Sequence, residues 1–162
     1  MSDTPTLPPI EQLVPHQGDM CLLDEVCSIG EEQLVAAIRP HRNDLFADDL
    51  GIPAWVGLEW MAQAIAAWSG HTMLNAGHKP HVGFLLGTRR YDSKVSHFSF
   101  ALRYQVKIEL DYMADNGLGA FRGEIFDAAD RVVASASLNV FQPDSDDMLD
   151  AMFNDDRPKD SQ

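Results

Sequence analysis

Glu59 stands in the stretch "IPAWVGLEWMAQAIAAWSG" (52–70), where nearly every other position is apolar or small. A carboxyl among such neighbours has a chemical use, because burial favours its protonated form and makes it an acid at neutral pH. Gln63 follows one helical turn later, on the same face, where it either orients Glu59 or satisfies buried backbone groups. An imidazole is the natural base to set beside such an acid. Six histidines are available: His16, His41, His71, His78, His81 and His97. An acid and a base together move protons on a bound substrate, and exposed amides at a helix start, here near Ala54–Val56, receive a developing negative oxygen. No pair of histidines has metal-ligand spacing with a third partner, so no metal site is expected. Cys21 and Cys27 lack the neighbouring basic motif that marks a nucleophile.

The elements that must position these groups are bounded by the totals. A chain of 162 residues buries a substantial core without disulfides or metals. Cys21 and Cys27, six apart in a strand-like run, point to one face and read as two buried thiols. The N-terminus has no basic region followed by an apolar one, and the longest apolar run carries Glu59 and Gln63, so neither a secretory leader nor a membrane span is expected and the cytoplasm is the expected compartment. Net charge is −13, with no basic stripe to meet phosphates, which argues against nucleic acid. Residues 144–162 hold seven acids against one arginine and one lysine. They read as a solvated, disordered acidic tail on a single domain over 1–143, although Met148, Leu149, Met152 and Phe153 also suit a short helix docked on a partner.

Along the chain, "MCLLDEVCSI" (20–29) and "QLVAAIRP" (33–40) read as a strand hairpin about Gly30-Glu31. Residues 40–52 are loop-like. Pro53 suits the first turn of a helix that runs to about His71, with Asn75-Ala76-Gly77 as its ending. The period then changes to two. "HVGFLLGTRRYDSKV" (81–95) is a strand with Gly87 as a bulge, and "FSFALRYQVKIELDY" (98–112) alternates apolar and polar residues as one long strand. After Asn116-Gly117, "GAFRGEIFD" and "RVVASASLNVF" complete an antiparallel meander. A single, nearly all-apolar helix needs cover on every side, and a curved antiparallel sheet wrapped round it supplies that cover. The fold class is therefore α+β, a hot-dog architecture in outline.

The helix sequence "PAWVGLEWMAQAIAAW" resembles that of the 3-hydroxyacyl-[acyl carrier protein] dehydratases of the hot-dog superfamily, which carry a Pro-Gly…Glu-Ala-Met-Ala-Gln pattern. "LVPHQGDMCLLDEV" (13–26) is similar to their Leu-Pro-His…Leu-Leu-Val-Asp-Arg-Val motif, and "FLLGTRRYDSKV" to the strand after their helix. The wording is most similar to the dehydratase-like proteins of aryl polyene biosynthesis, with Pro-Ala-Trp-Val-Gly and Phe-Leu-Leu-Gly. This resemblance, over about residues 10–142, implies obligate dimers, substrates carried on acyl carrier protein, and no cofactor. It makes Glu59 the acid for the departing hydroxyl and His16, in the matched "VPHQGDM", the first choice of base. The amides of Ala54 and Trp55 would bind the thioester oxygen, and Trp55, Leu58, Met61 and Phe84 would line an acyl tunnel. Arg89, Arg90 and Lys94, the chain's one cluster of three basic residues, would dock the acidic carrier.

One departure matters. Housekeeping dehydratases place a histidine in a His-Phe-Pro-Gly loop fourteen residues before the helix glutamate, and here that position is Leu45. His41, four positions earlier in the same loop, is the alternative base. A second hot-dog chain that donates the histidine to a heterodimer, while this chain supplies Glu59, is another. A hot-dog thioesterase and a non-catalytic carrier-binding subunit of a heteromeric dehydratase are the rival functions.

Overall fold

The structure is a computed structural model that describes residues 6–77 and 84–141, the side chain of Phe84 excepted. The acidic tail, His78 and His81 lie outside the described residues. Two short 3₁₀ turns, Ile10–Gln12 and Gly18–Met20, lead into β1 (Glu25–Ile29) and β2 (Gln33–Ile38). A two-residue β3 (Ile52–Pro53) precedes α1 (Val56–Asn75). Then come β4 (Phe84–Ser93), a short β5 (His97–Phe98), and the meander β6 (Tyr104–Met113), β7 (Leu118–Phe126) and β8 (Val132–Phe141). Six strands form one antiparallel sheet in the order β1-β2-β6-β7-β8-β4, and β3 pairs with β5 apart from it. The expected α+β hot-dog arrangement, one helix against a curled antiparallel sheet, is the one observed.

Four local readings are corrected. The hairpin strand starts at Glu25, so Cys21 lies before it, closing the second 3₁₀ turn, and a bulge at Cys27 breaks the register. The two half-buried thiols are free and do not share one strand face. Pro53 is no helix residue: it pairs with His97 in the β3–β5 ladder, and the helix begins three residues later. The long strand expected over 98–112 is broken, because Phe98 belongs to β5 and residues 99–102 turn. Ser99 sets that turn, with its amide donating to Tyr104 Oη at 2.8 Å and its side chain accepting from Ala101 N–H at 3.2 Å. In β4 the extra residues are Leu86 and Arg89, flanking Gly87 rather than coinciding with it.

The helix lies close to the sheet because its contact face is built from small residues. Ala64 and Ala67 are fully buried. A Cβ on Gly57 would come within 2.5 Å of Tyr91 Oη, and one on Gly70 within 2.2 Å of the Leu13 carbonyl oxygen. Trp60 then stacks on Phe98 at 4.4 Å, and Met61 packs over Gly123. Cover is incomplete on one stripe: Leu58, Glu59, Ala62, Ala66 and Ser69 stay half-buried, so this chain alone does not enclose the helix on every side.

Gly70→Ala should drive a methyl into the Leu13 backbone, lift the N-terminal segment from the helix and destabilise the fold by about 1–3 kcal/mol. A lower urea midpoint with an unchanged slope is the expected result.

Candidate active site

Glu59 sits in the first turn of α1, where the helix presents the positive end of its dipole. One turn on, Gln63 is wholly buried and makes three hydrogen bonds. Its Oε1 accepts from Leu22 N–H at 2.9 Å, while its Nε2 donates to the Met20 carbonyl at 2.8 Å and to Glu59 Oε1 at 3.3 Å. The two backbone partners decide which end of the amide is which, so Glu59 Oε1 has to accept. Gln63 thus does both things its position suggested: it satisfies buried backbone and it holds the carboxylate.

His16 comes to the same carboxylate from the segment between the two 3₁₀ turns. Its Nε2 lies 3.6 Å from Glu59 Oε1, with the His16 side chain 27% and the Glu59 side chain 38% exposed. Nδ1 of His16 is buried and has no hydrogen-bond partner among the described residues. A buried N–H without an acceptor costs more than a bare lone pair, so we assign the proton of the neutral ring to Nε2, the nitrogen facing Glu59. Two donors therefore face one oxygen.

The amides at the helix start differ from expectation. Ala54 N–H is already committed, donating to the Ser96 carbonyl at 2.9 Å across the β3–β5 corner. Gly57 and Leu58 donate back to Ala54 and Trp55. The Trp55 and Val56 amides have no such bond among the described residues. The helix entry is held by Tyr91, whose hydroxyl donates to the Ala54 carbonyl, and burial pushes that phenol up to about 12. Across the corner, Asp48 takes the Leu50 and Gly51 amides on Oδ1 and His97 Nε2 on Oδ2 at 2.8 Å, pinning the loop to β5. These hydrogen bonds hold the Asp48 carboxyl below its usual range. Nothing in the local sequence signals this pin, because Asp48 and His97 are 49 positions apart.

The remaining candidates scatter. The His41 side chain is exposed; its backbone amide donates to Asp44 and opens a turn, and it makes no bond to Glu59 or His16. Trp55 is 60% exposed and meets Phe46 edge-on at 5.2 Å, Leu58 is half-buried, and Met61 is shut in the core against β7. The Phe84 side chain lies outside the described residues. An opening of about 130 Å³ does touch the first turn of the helix, on its Val56 and Trp60 side, with Leu22, Phe46 and Ile52 across from them. None of the three tunnel candidates with described side chains, Trp55, Leu58 and Met61, lines it. On β4, Arg90 is neutralised locally by Asp92, whereas Arg89, and Lys94 just past the strand, are exposed with no ion pair among the described residues. None of the three bonds to the Glu59 group. No cluster among the described residues could hold a metal. No helix among them is long and apolar enough to cross a membrane.

An antiparallel sheet curled round a single helix, with a carboxylate in that helix's first turn, places the chain in the hot-dog class. The chain belongs to the ApeP-like family, described as ApeP dehydratase, which its sequence matches over residues 8–153. It is similar to a chain of the dehydratase heterocomplex ApeI:P from Xenorhabdus doucetiae, with 25% identity and a TM-score of 0.81 over 91% of this chain and 99% of that one. Two more distant likenesses show the fold alone. AziG of S. sahachiroi is 13% identical, with a TM-score of 0.58 over 74% of this chain and 90% of that one. The E. coli PaaI protein, from the phenylacetic acid degradation operon, is 11% identical, with a TM-score of 0.58 over 72% and 81%. No curated protein matches the sequence.

Gln63→Leu should strand the Leu22 amide and the Met20 carbonyl and destabilise the fold by about 2–4 kcal/mol, read from urea midpoints. Tyr91 gives a pH signature. An unfolded phenol ionises near pH 10 and the folded one near 12, so the folded state binds more protons between them and stability falls with rising pH across that window. Tyr91→Phe should show a shallower fall than wild type between pH 10 and 12 and no difference in slope at pH 7–9.

Proposed function

We propose that this chain dehydrates 3-hydroxyacyl thioesters carried on acyl carrier protein to trans-2-enoyl thioesters, in fatty-acid-like or aryl polyene biosynthesis. The observation that carries this reading is the Glu59 carboxylate, faced by Gln63 Nε2 at 3.3 Å and His16 Nε2 at 3.6 Å at a helix start where the Trp55 and Val56 amides have no backbone partner among the described residues. The direction of those donors favours a division of labour other than the one the sequence motif suggests. Glu59 takes the α-proton as the thioester oxygen draws charge onto the Trp55 and Val56 amides. The C–O bond then breaks, and Glu59 returns that proton to the departing hydroxyl, releasing water. His16, its Nε2 3.6 Å from Glu59 Oε1, helps to orient the carboxylate electrostatically.

Glu59 is more than one-third exposed, and the stripe that carries it is half-covered, so the site gains from a second hot-dog chain laid along the helix. The relative found in a heterocomplex supports a heterodimer, with a homodimer as the other form. Arg89 on β4 and Lys94 just past it are the charges of that cluster left to meet an acidic carrier.

The test is mass spectrometry of a 3-hydroxyacyl-carrier protein incubated with this protein, alone and with any hot-dog chain that co-purifies. Loss of one water is expected. Glu59→Gln should slow it by about 10²–10⁴-fold. His16→Gln, which keeps a donor, should retain much more activity than His16→Ala. Equal loss in the two His16 variants would make His16 the base instead. Release of the free carrier thiol would point to a thioesterase, and an indifferent Glu59→Gln in an active complex would reduce this chain to a binding subunit.

A further inference from the structure

The face of the sheet turned away from α1 carries charge in an ordered pattern that the candidate active site does not use. Its charged residues alternate along each strand with residues on the helix side. Arg90 and Asp92 flank Tyr91, Arg122 and Glu124 flank Gly123, and Lys107 and Glu109 flank Ile108. Strand register sets them in two rows. Arg90, Ser137, Arg122 and Glu109 stand side by side across β4, β8, β7 and β6. Asp92, Ser135, Glu124 and Lys107 form the neighbouring row. Each charge in one row thus has the opposite charge two residues along the same strand. On β8 both positions are serine, and a shallow groove of about 410 Å³ opens there between Arg90 and Arg122.

This balance is local. The rows hold three cations and three anions, whereas the whole chain has 12 basic residues and 25 acidic ones. Within the chain Arg90 pairs with Asp92, and Arg122 pairs with Glu109 at 3.4 Å and with Asp111, the bulge residue of β6, at 2.7 Å. Lys107 and Glu124, opposite each other on β6 and β7, make no ion pair among the described residues. The arginine side chains stay open to a further contact, Arg90 79% and Arg122 59% exposed.

A two-fold axis lying in the plane of this face, across the strands and between the rows, maps each row onto the other. A second copy placed by that axis sets its Asp92 over Arg90, its Glu124 over Arg122 and its Lys107 over Glu109, and the reciprocal contacts follow. Ser135 meets Ser137 between them, small enough to let the faces close. The same operation carries the half-buried Phe126 of one copy over Ala120 of the other, which lies in an apolar groove with Leu118 and Tyr112. Over four strands the face measures about 30 by about 19 Å, so the contact covers roughly 1,100 Å² in all, the size of a weak, reversible association.

We propose that two copies of this chain pair through the outer faces of their sheets, each row on the opposite row of the other. The contact is separate from the half-covered stripe of α1 and leaves that stripe free for another chain.

Sedimentation velocity of the full chain at about 100 μM, in about 50 mM and about 500 mM salt, tests this. Low salt should give a species of twice the high-salt mass. Arg90→Asp and Asp92→Arg should each weaken the doubling at least about tenfold in Kd, because the axis turns two attractive pairs repulsive. An equimolar mixture of the two variants should recover it to within about threefold, since Asp at 90 in one chain then faces Arg at 92 in the other, and Asp92 faces Arg90. Absence of doubling in the unsubstituted chain would overturn the proposal. So would single variants that double as well as the unsubstituted chain, which would put the contact on another surface. A mixture no better than its components would assign the face to a different protein.

Discussion

A single buried amide organises the Glu59 end of this molecule. Gln63 is the one polar side chain wholly buried among the described residues, and its three hydrogen bonds reach two different parts of the chain. Leaving any of those groups unpaired in a low-dielectric interior costs more than the bond contributes when formed, so the arrangement is held by what its loss would expose. The segment from Met20 to Leu22 cannot shift along α1 without stranding an amide or a carbonyl. Because His16 enters just ahead of that segment, the same constraint brings its ring to Glu59.

The close approach of helix and sheet depends on absent side chains as much as on present ones. Gly57, Gly70 and Gly123 remove the Cβ atoms that would hold Tyr91, the Leu13 backbone and Met61 at a distance. With those contacts made, the Tyr91 hydroxyl can reach the Ala54 carbonyl, and the corner before the helix is fastened from the sheet side as well. The entry to α1 is therefore fastened on both flanks.

The family relationship fits a molecule left open along one stripe of its helix. An enclosed helix glutamate would be cut off from substrate, whereas a fully bare one would gain nothing from the protein around it. Glu59 lies between these limits, with donors on one side and solvent on the other. A second hot-dog chain laid on that stripe would change the dielectric round the carboxylate without altering the bonds that aim it.

Much of this was legible in the residues alone. The change of period after the helix, the Asn116-Gly117 turn and the apolar run holding one carboxylate are local patterns, and local patterns determined the α+β class, the long helix and the β6–β8 meander. The motif about His16 and the helix motif pointed to two residues that the fold sets 3.6 Å apart across 43 positions of sequence. Periodicity could not foresee where Pro53 would go, because a proline that suits a helix start also suits an edge strand, and His97 on the far side of the helix made the choice. That one long-range pairing ties the Ala54 amide to Ser96, leaves the Trp55 and Val56 amides without a backbone partner among the described residues, and splits the expected long strand at Phe98. Which end of Gln63 faces Glu59, and hence which groups donate there, was likewise decided by backbone more than 40 positions away, brought near only by the folded chain.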